Sequence, residues 1–215
     1  MFLKTAELKK IMKDSLKRSG LIVGNVKDHY LVYTDTWGLY IEDMYASNKF
    51  KAAIMELIGD LPEAGECYWY AVVEKEINQE AVLDYQDPYQ EWMKAKDTAV
   101  VTPVKLSAWP HEYFVIQRKS DKAFMTVRSS LTAAVISSKE LTEGEGMPGR
   151  PCLLGQTLYF KNESTIWWVA TESVGHKAEE VLFPHLSGMD FFESEWLEKE
   201  EEEKAAAETA ILPYE

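Results

Sequence analysis

Apolar and polar residues alternate most clearly between Leu21 and Met44, LIVGNVKDHYLVYTDTWGLYIEDM. Alternation on either side of polar turn residues predicts short strands whose side chains divide between two faces. With Lys27-Asp28-His29 and Thr36-Trp37-Gly38 as the turns, the stretch predicts a meander of about three strands. One face carries Val32 with Trp37 or Leu39; the other carries Leu31, Tyr33, Tyr40 and Ile41, depending on register. Helical spacing flanks the meander on both sides. Before it, Leu8, Ile11, Met12 and Leu16 form one apolar stripe, with Thr5 as N-cap and Gly20 as stop. After it, Phe50, Ala53, Ile54, Leu57 and Ile58 form a second stripe, capped by Asn48 and ended by Gly59. Glu66 to Glu74 (ECYWYAVVE) predicts another strand. Its Tyr68, Trp69 and Tyr70 read either as a strand packed on both faces or as an exposed stacking platform.

Residues 76–98 are polar, acidic and interrupted by Pro88, which predicts a connection with one short helix around Tyr89 to Ala95. Strands follow at Ala99 to Trp109, Glu112 to Lys119 and Ala123 to Ser129, the last two joined by a Ser120-Asp121-Lys122 turn. Leu131 to Leu141 has helical spacing but β-branched residues, and both readings stay open. Residues 143–151 (EGEGMPGRP) have loop composition. Cys152 to Phe160 and Thr165 to Thr171 form a hairpin. The expected fold class is α+β: antiparallel β-meanders with a few covering helices. The expected organisation is a helix-meander-helix-strand domain over 1–98, a second, mostly β domain over 99–192, and an acidic tail over 193–215.

Charge adds a contrast. The formal net charge of −13 argues against nucleic acid or anionic membrane binding by the whole surface. Yet Lys9, Lys10, Lys13 and Lys17 crowd the first helix with Arg18 beside them, and Lys49 and Lys51 stand on the first turn of the second, the unfavourable end for its dipole. Such a cluster is either a solvated face or a phosphate-contacting one. Phe191, Phe192 and Trp196 adjoin the acidic tail and either dock it onto the body or anchor a protein partner. Two cysteines, Cys67 and Cys152, match no metal spacing and suit a reducing cytoplasm. No stretch approaches the roughly 20 apolar residues that span a bilayer, and the charged start is unlike a signal peptide. The expected location is cytoplasmic.

Catalytic patterns are sparse. No glycine-flanked serine elbow occurs, and Gly144-Glu145-Gly146-Met147-Pro148-Gly149 holds an acid and lacks the lysine of a phosphate-cradling loop. His176, Glu180 and His185 make the best metal set, but Pro184 is expected to end the helix before His185. Neither an enzyme, a metal nor a cofactor is expected.

Two strings carry a family resemblance: Asp28-His29-Tyr30-Leu31-Val32-Tyr33-Thr34-Asp35-Thr36 and Gly59-Asp60-Leu61-Pro62-Glu63-Ala64-Gly65-Glu66. With the order helix, strands, helix, strand over about the first 75 residues, they resemble one repeat of a DNA polymerase sliding clamp. The resemblance implies a non-enzymatic, DNA-associated homo-oligomeric ring. Its helices would offer Lys9, Lys10, Lys13, Lys17, Arg18, Lys49 and Lys51 to the backbone of double-stranded DNA, without base readout. The alternative is an acidic protein-interaction module, an adaptor or inhibitor, without DNA binding.

Overall fold

The alternating stretch folds as β1 (Leu21–Val26), β2 (His29–Tyr33) and β3 (Trp37–Glu42) in a computed structural model that describes residues 1–192. Lys27 and Asp28 make the first turn in the left-handed region, at φ 52° and 61°, as a two-residue hairpin connection requires. The second turn lies earlier than the sequence suggests. Thr34 donates its amide to the Trp37 carbonyl at 2.8 Å, so Trp37 and Gly38 belong to β3. That register pairs Val32 with Leu39 and Tyr30 with Ile41. Ile41 therefore shares the face of Leu39 and not, as expected, that of Tyr40.

Helix α1 (Thr5–Arg18) has Lys4 at its cap position; the Thr5 hydroxyl instead donates to the Glu140 carboxylate. Helix α2 (Asn48–Ile58) is capped by Ser47, whose hydroxyl accepts the Phe50 amide at 3.2 Å, so the cap is one residue earlier than Asn48. After β4 (Cys67–Val73), the polar connection contains a strand, β5 (Glu76–Ala81), all six residues exposed. It shows no alternation because neither of its faces is buried; backbone pairing with β4 alone holds it. A short helix α3 (Pro88–Lys94) follows, with Asp87 as its N-cap and proline in the first turn.

The second half contributes β6 (Asp97–Ala108), β7 (His111–Arg118), β8 (Phe124–Arg128), β9 (Cys152–Leu154), β10 (Thr157–Lys161), β11 (Thr165–Ala170) and α4 (His176–Leu186). Gly155, at φ 58°, turns the chain between β9 and β10 where one strand was expected. Residues 131–141 adopt neither open reading: 3-10 turns at Ser129–Leu131 and Ser138–Glu140 flank an isolated bridge from Ile136 to Leu3. Pro184 does not end α4, which runs on to Leu186. Burial of Leu186 and Phe191 against Val100 and Val115 holds the last turn in place, and tertiary packing outweighs the proline.

All pairings are antiparallel, in the order β5-β4-β1-β2-β3-β11-β10-β9-β6-β7-β8. The chain thus has an α+β fold with one large antiparallel sheet and a few helices. β3 pairs with β11, and residue 98 lies within β6, so the sheet is continuous across it. On the inner face α1, α2 and residues 129–141 cover a core that includes Phe2, Met12, Phe50, Leu39, Ile116 and Trp167. The Trp167 indole donates to the Leu131 carbonyl at 2.9 Å. The outer face is covered by a strap, residues 82–96 with α3 at its centre, through Val82, Tyr85, Trp92 and Ala95. Helix α4 covers β6 to β8 through Leu182, Phe183 and Leu186.

Candidate functional site

Two surfaces carry side chains beyond what the core requires. On the inner side α1 buries Leu8, Met12 and Leu16, and α2 buries Phe50, Ala53 and Ile54, which leaves the lysines to the outside of both. Most are already paired. Lys9 reaches Glu56 on α2, Lys10 pairs with Glu7 at 2.8 Å, Lys49 with Glu140 at 2.7 Å and Lys51 with Asp43 at 2.5 Å. Lys13, Lys17 and Arg18 are exposed and have no ionic partner among the described residues. The surface is therefore a lattice of opposite charges with three unpaired cations along α1.

The outer face is aromatic, and strand register is the reason. Ile22 lies opposite Tyr33, Tyr33 opposite Gly38, Gly38 opposite Trp168, and Trp168 opposite Tyr159. Directly opposed residues share a face, so the four outer side chains and one glycine make a row across five strands. The Tyr33 and Trp168 rings stand 6.2 Å apart at 41°. A side chain on Gly38 would overlap the Trp168 indole; the glycine is what lets that ring lie over β3. One register step along, Tyr40 stacks on His29 with ring centroids 4.1 Å apart.

The strap crosses this face and leaves a hollow on each side. The first, about 260 Å³, is lined by Tyr33, Asp35, Glu91, Tyr159 and Trp168 among others. The second, about 370 Å³, is lined by Lys27, His29, Tyr40, Asp87, Lys161 and Glu163 among others. Asp87 holds the strap by accepting the Tyr89 amide at 3.0 Å and pairing with Lys27 at 2.6 Å. Burial pushes the phenols of Tyr33, Tyr40 and Tyr159 up to about 12, with nearby carboxylates adding to it. All three hydroxyls stay protonated at neutral pH, and none has a hydrogen-bond partner among the described residues. They can donate or accept, but they are poor acids.

The C-terminal aromatics face inward. Phe191 is 8% exposed, its amide donates to Gln117 Oε1 at 2.8 Å, and its ring meets Phe124 edge-on. Phe192 lies under the cations of Lys122 and Arg150. Half-buried Phe124 and Phe183 pack with buried Phe191 in a small aromatic cluster whose outer edge reaches the surface, consistent with a protein-interaction surface. Trp196 and the acidic tail lie outside the described residues. Trp109, at the tip of the β6–β7 hairpin, is 96% exposed, but it stands alone, and single exposed apolar residues are ordinary.

Among the described residues no group of three or more His, Cys, Asp or Glu is placed to hold a metal. Glu179 accepts the Val174 amide and the Ser173 hydroxyl at the start of α4. Burial pushes the Cys67 thiol up to about 11 and raises that of Cys152, so neither is an activated nucleophile. Among the described residues no helix is long and apolar enough to cross a membrane.

Sequence reasoning placed Tyr33 and Tyr40 on one face but did not join them to Tyr159 and Trp168. The signal available was the predicted 152–171 hairpin with the adjacent aromatic pairs Tyr159-Phe160 and Trp167-Trp168, which put one aromatic of each pair on each face; the pairing of β11 with β3 is not legible. No protein-family model matches the chain. No curated protein matches it by sequence, and no solved structure matches it by fold. The class its architecture defines is an α+β protein whose described residues form an eleven-stranded antiparallel sheet strapped on its outer face.

Proposed function

We propose that the chain is an acidic protein-interaction module, an adaptor or inhibitor, whose docking surface is the outer face of the sheet beside the strap. The carrying observation is the set Tyr33, Tyr40 and Tyr159, whose side chains are buried or half-buried, line the two hollows and keep hydroxyls without a hydrogen-bond partner among the described residues. An apolar ring with a polar tip is the side-chain character that concentrates energy at protein interfaces. Exposed Tyr89 and Met93 on the strap extend the apolar area. The net charge of −13 favours and steers a basic partner. Peptide display against the full chain, followed by calorimetry, tests the reading. Selected ligands should lose at least about tenfold in affinity on Tyr33→Ala or Tyr159→Ala; ligands indifferent to both would put the docking surface elsewhere.

A second reading, backbone binding to double-stranded DNA, is favoured by the unpaired Lys13, Lys17 and Arg18. It keeps the sliding-clamp expectation, including a homo-oligomeric ring, as a proposal, with the DNA-facing set reduced from seven cations to these three. Lys9, Lys10, Lys49 and Lys51 would first have to leave their own carboxylates.

A further inference from the structure

We infer that the hollow lined by Tyr33, Tyr159 and Trp168 is a binding site for an organic cation, an alkylammonium or guanidinium group. The source of the cation, a partner's side chain rather than a free amine, rests on the docking reading above; the chemistry of the hollow does not.

Three aromatic side chains wall it. Tyr33 and Trp168 incline toward each other at 41° with centroids 6.2 Å apart, and Tyr159 is opposite Trp168 on β10. Faces of aromatic rings carry the negative end of a quadrupole and attract cations, most strongly where water is excluded. Tyr159 is 7% exposed and lines this space, and its hydroxyl has no hydrogen-bond partner among the described residues.

The charges around the hollow have one sign. Asp35 enters from the β2–β3 turn and Glu91 from the strap, and among the described residues no lysine, arginine or histidine lines it. Glu91 does pair with Lys94 at 2.6 Å, but that lysine is 62% exposed and lies outside the lining, so solvent screens its competition. The neighbouring hollow is the internal contrast. It shares the strap but carries Lys27, His29 and Lys161 beside Glu42, Asp87 and Glu163, so its charges are mixed and its own cations compete with any incoming one. A volume of about 260 Å³ suits the head of a lysine, an arginine or a trimethylammonium group and is below the span typical of drug-sized ligands.

The test uses the full chain and choline as probe, with 3,3-dimethylbutanol as its uncharged isostere, read by the NMR shift of the Trp168 indole, assigned with Trp168→Phe. Choline should shift the resonance saturably, and the isostere should bind at least about tenfold more weakly. Asp35→Asn with Glu91→Gln, which removes charge from side chains outside the core, should weaken choline several-fold with an unchanged melting temperature. Equal binding of the two probes, or no saturable shift, overturns the inference. Short peptides with a central arginine, lysine, trimethyl-lysine or norleucine then separate the two readings. Choline binding without any peptide binding keeps the cation site and removes the docking reading. Peptides that bind beside the strap but do not distinguish arginine or trimethyl-lysine from norleucine keep the docking reading and overturn the cation site.

Discussion

Gly38 and Trp168 face each other across β3 and β11, and the indole occupies the space that a side chain on Gly38 would need. Gly38→Ala must push the ring aside or part the strands, an overpacking error of about 1–3 kcal/mol. Chemical denaturation should show that loss. Gly38→Ala combined with Trp168→Leu should cost less than the sum of the two single changes, because the smaller side chain clears the space. Additive losses would mean that the two positions do not share it.

Gln117 fastens the end of α4. It is fully buried, its amide donates to the Met189 carbonyl at 2.8 Å, and its carbonyl accepts the Phe191 amide at 2.8 Å. Gln117→Leu keeps the volume roughly and removes both bonds, at an expected cost of about 1–3 kcal/mol. Hydrogen exchange should speed up over α4 first while β1 to β3 stay protected; uniform loss of protection would refute a local role.

Glu145 gives the fold an acid limit. Burial alone would raise its carboxyl, but the Met1 amino group and the Ser164 hydroxyl, followed by the Thr142 amide and hydroxyl, outweigh that and hold it at about 2. Its folded value lies below the ordinary 4.5, so its stabilisation is present above the ordinary value and is lost as the pH falls from about 4.5 through about 2. With the Met1 amine free, the increment is about 3 kcal/mol. Acid titration of unfolding free energy should be shallower over that window in Glu145→Gln, which should also be less stable than wild type at pH 7.

The strap depends on Asp87, which caps α3 and pairs with Lys27. Asp87→Ala removes the cap, worth about 1 kcal/mol, and should raise hydrogen exchange over residues 88–94 more than over the sheet beneath. The same variant should alter binding at both hollows without touching the Tyr33–Trp168 pair.

If α1 binds DNA, the unpaired cations should matter and the paired ones should not. Replacing Lys13, Lys17 and Arg18 with Gln should flatten the slope of log affinity against log salt by about 0.9 for each phosphate no longer neutralised. Replacing Lys9, Lys49 and Lys51 should change the slope little. Equal effects from both sets would mean that the ion pairs open on binding, and no binding at low salt by wild type, circular DNA included, would end the reading.

Local periodicity decided much of this protein. The spacing of Leu8, Met12 and Leu16, and of Phe50, Ala53 and Ile54, specified two amphipathic helices, because a helix can bury one stripe only at that period. The alternation from Leu21 to Met44 specified three strands, and the polar run Lys27-Asp28-His29 marked their first turn, of which His29 belongs to β2. Those signals are short-range, and the α+β class follows from them. Register and partner choice are long-range and were not written locally. Nothing near Gly38 says that β11, more than a hundred residues later, will pair with β3 and lay Trp168 over it. Nothing in the polar run Glu76–Ala81 marks it as a strand, since its pairing is made by the backbone. The lysines of α1 and α2 were visible as a cluster, but their neutralisation by Glu56, Glu140 and Asp43 depended on which loops and helices the fold brought beside them. The aromatic row exists only because four pairings align Ile22, Tyr33, Trp168 and Tyr159 across one face, and that alignment is a property of the assembled sheet.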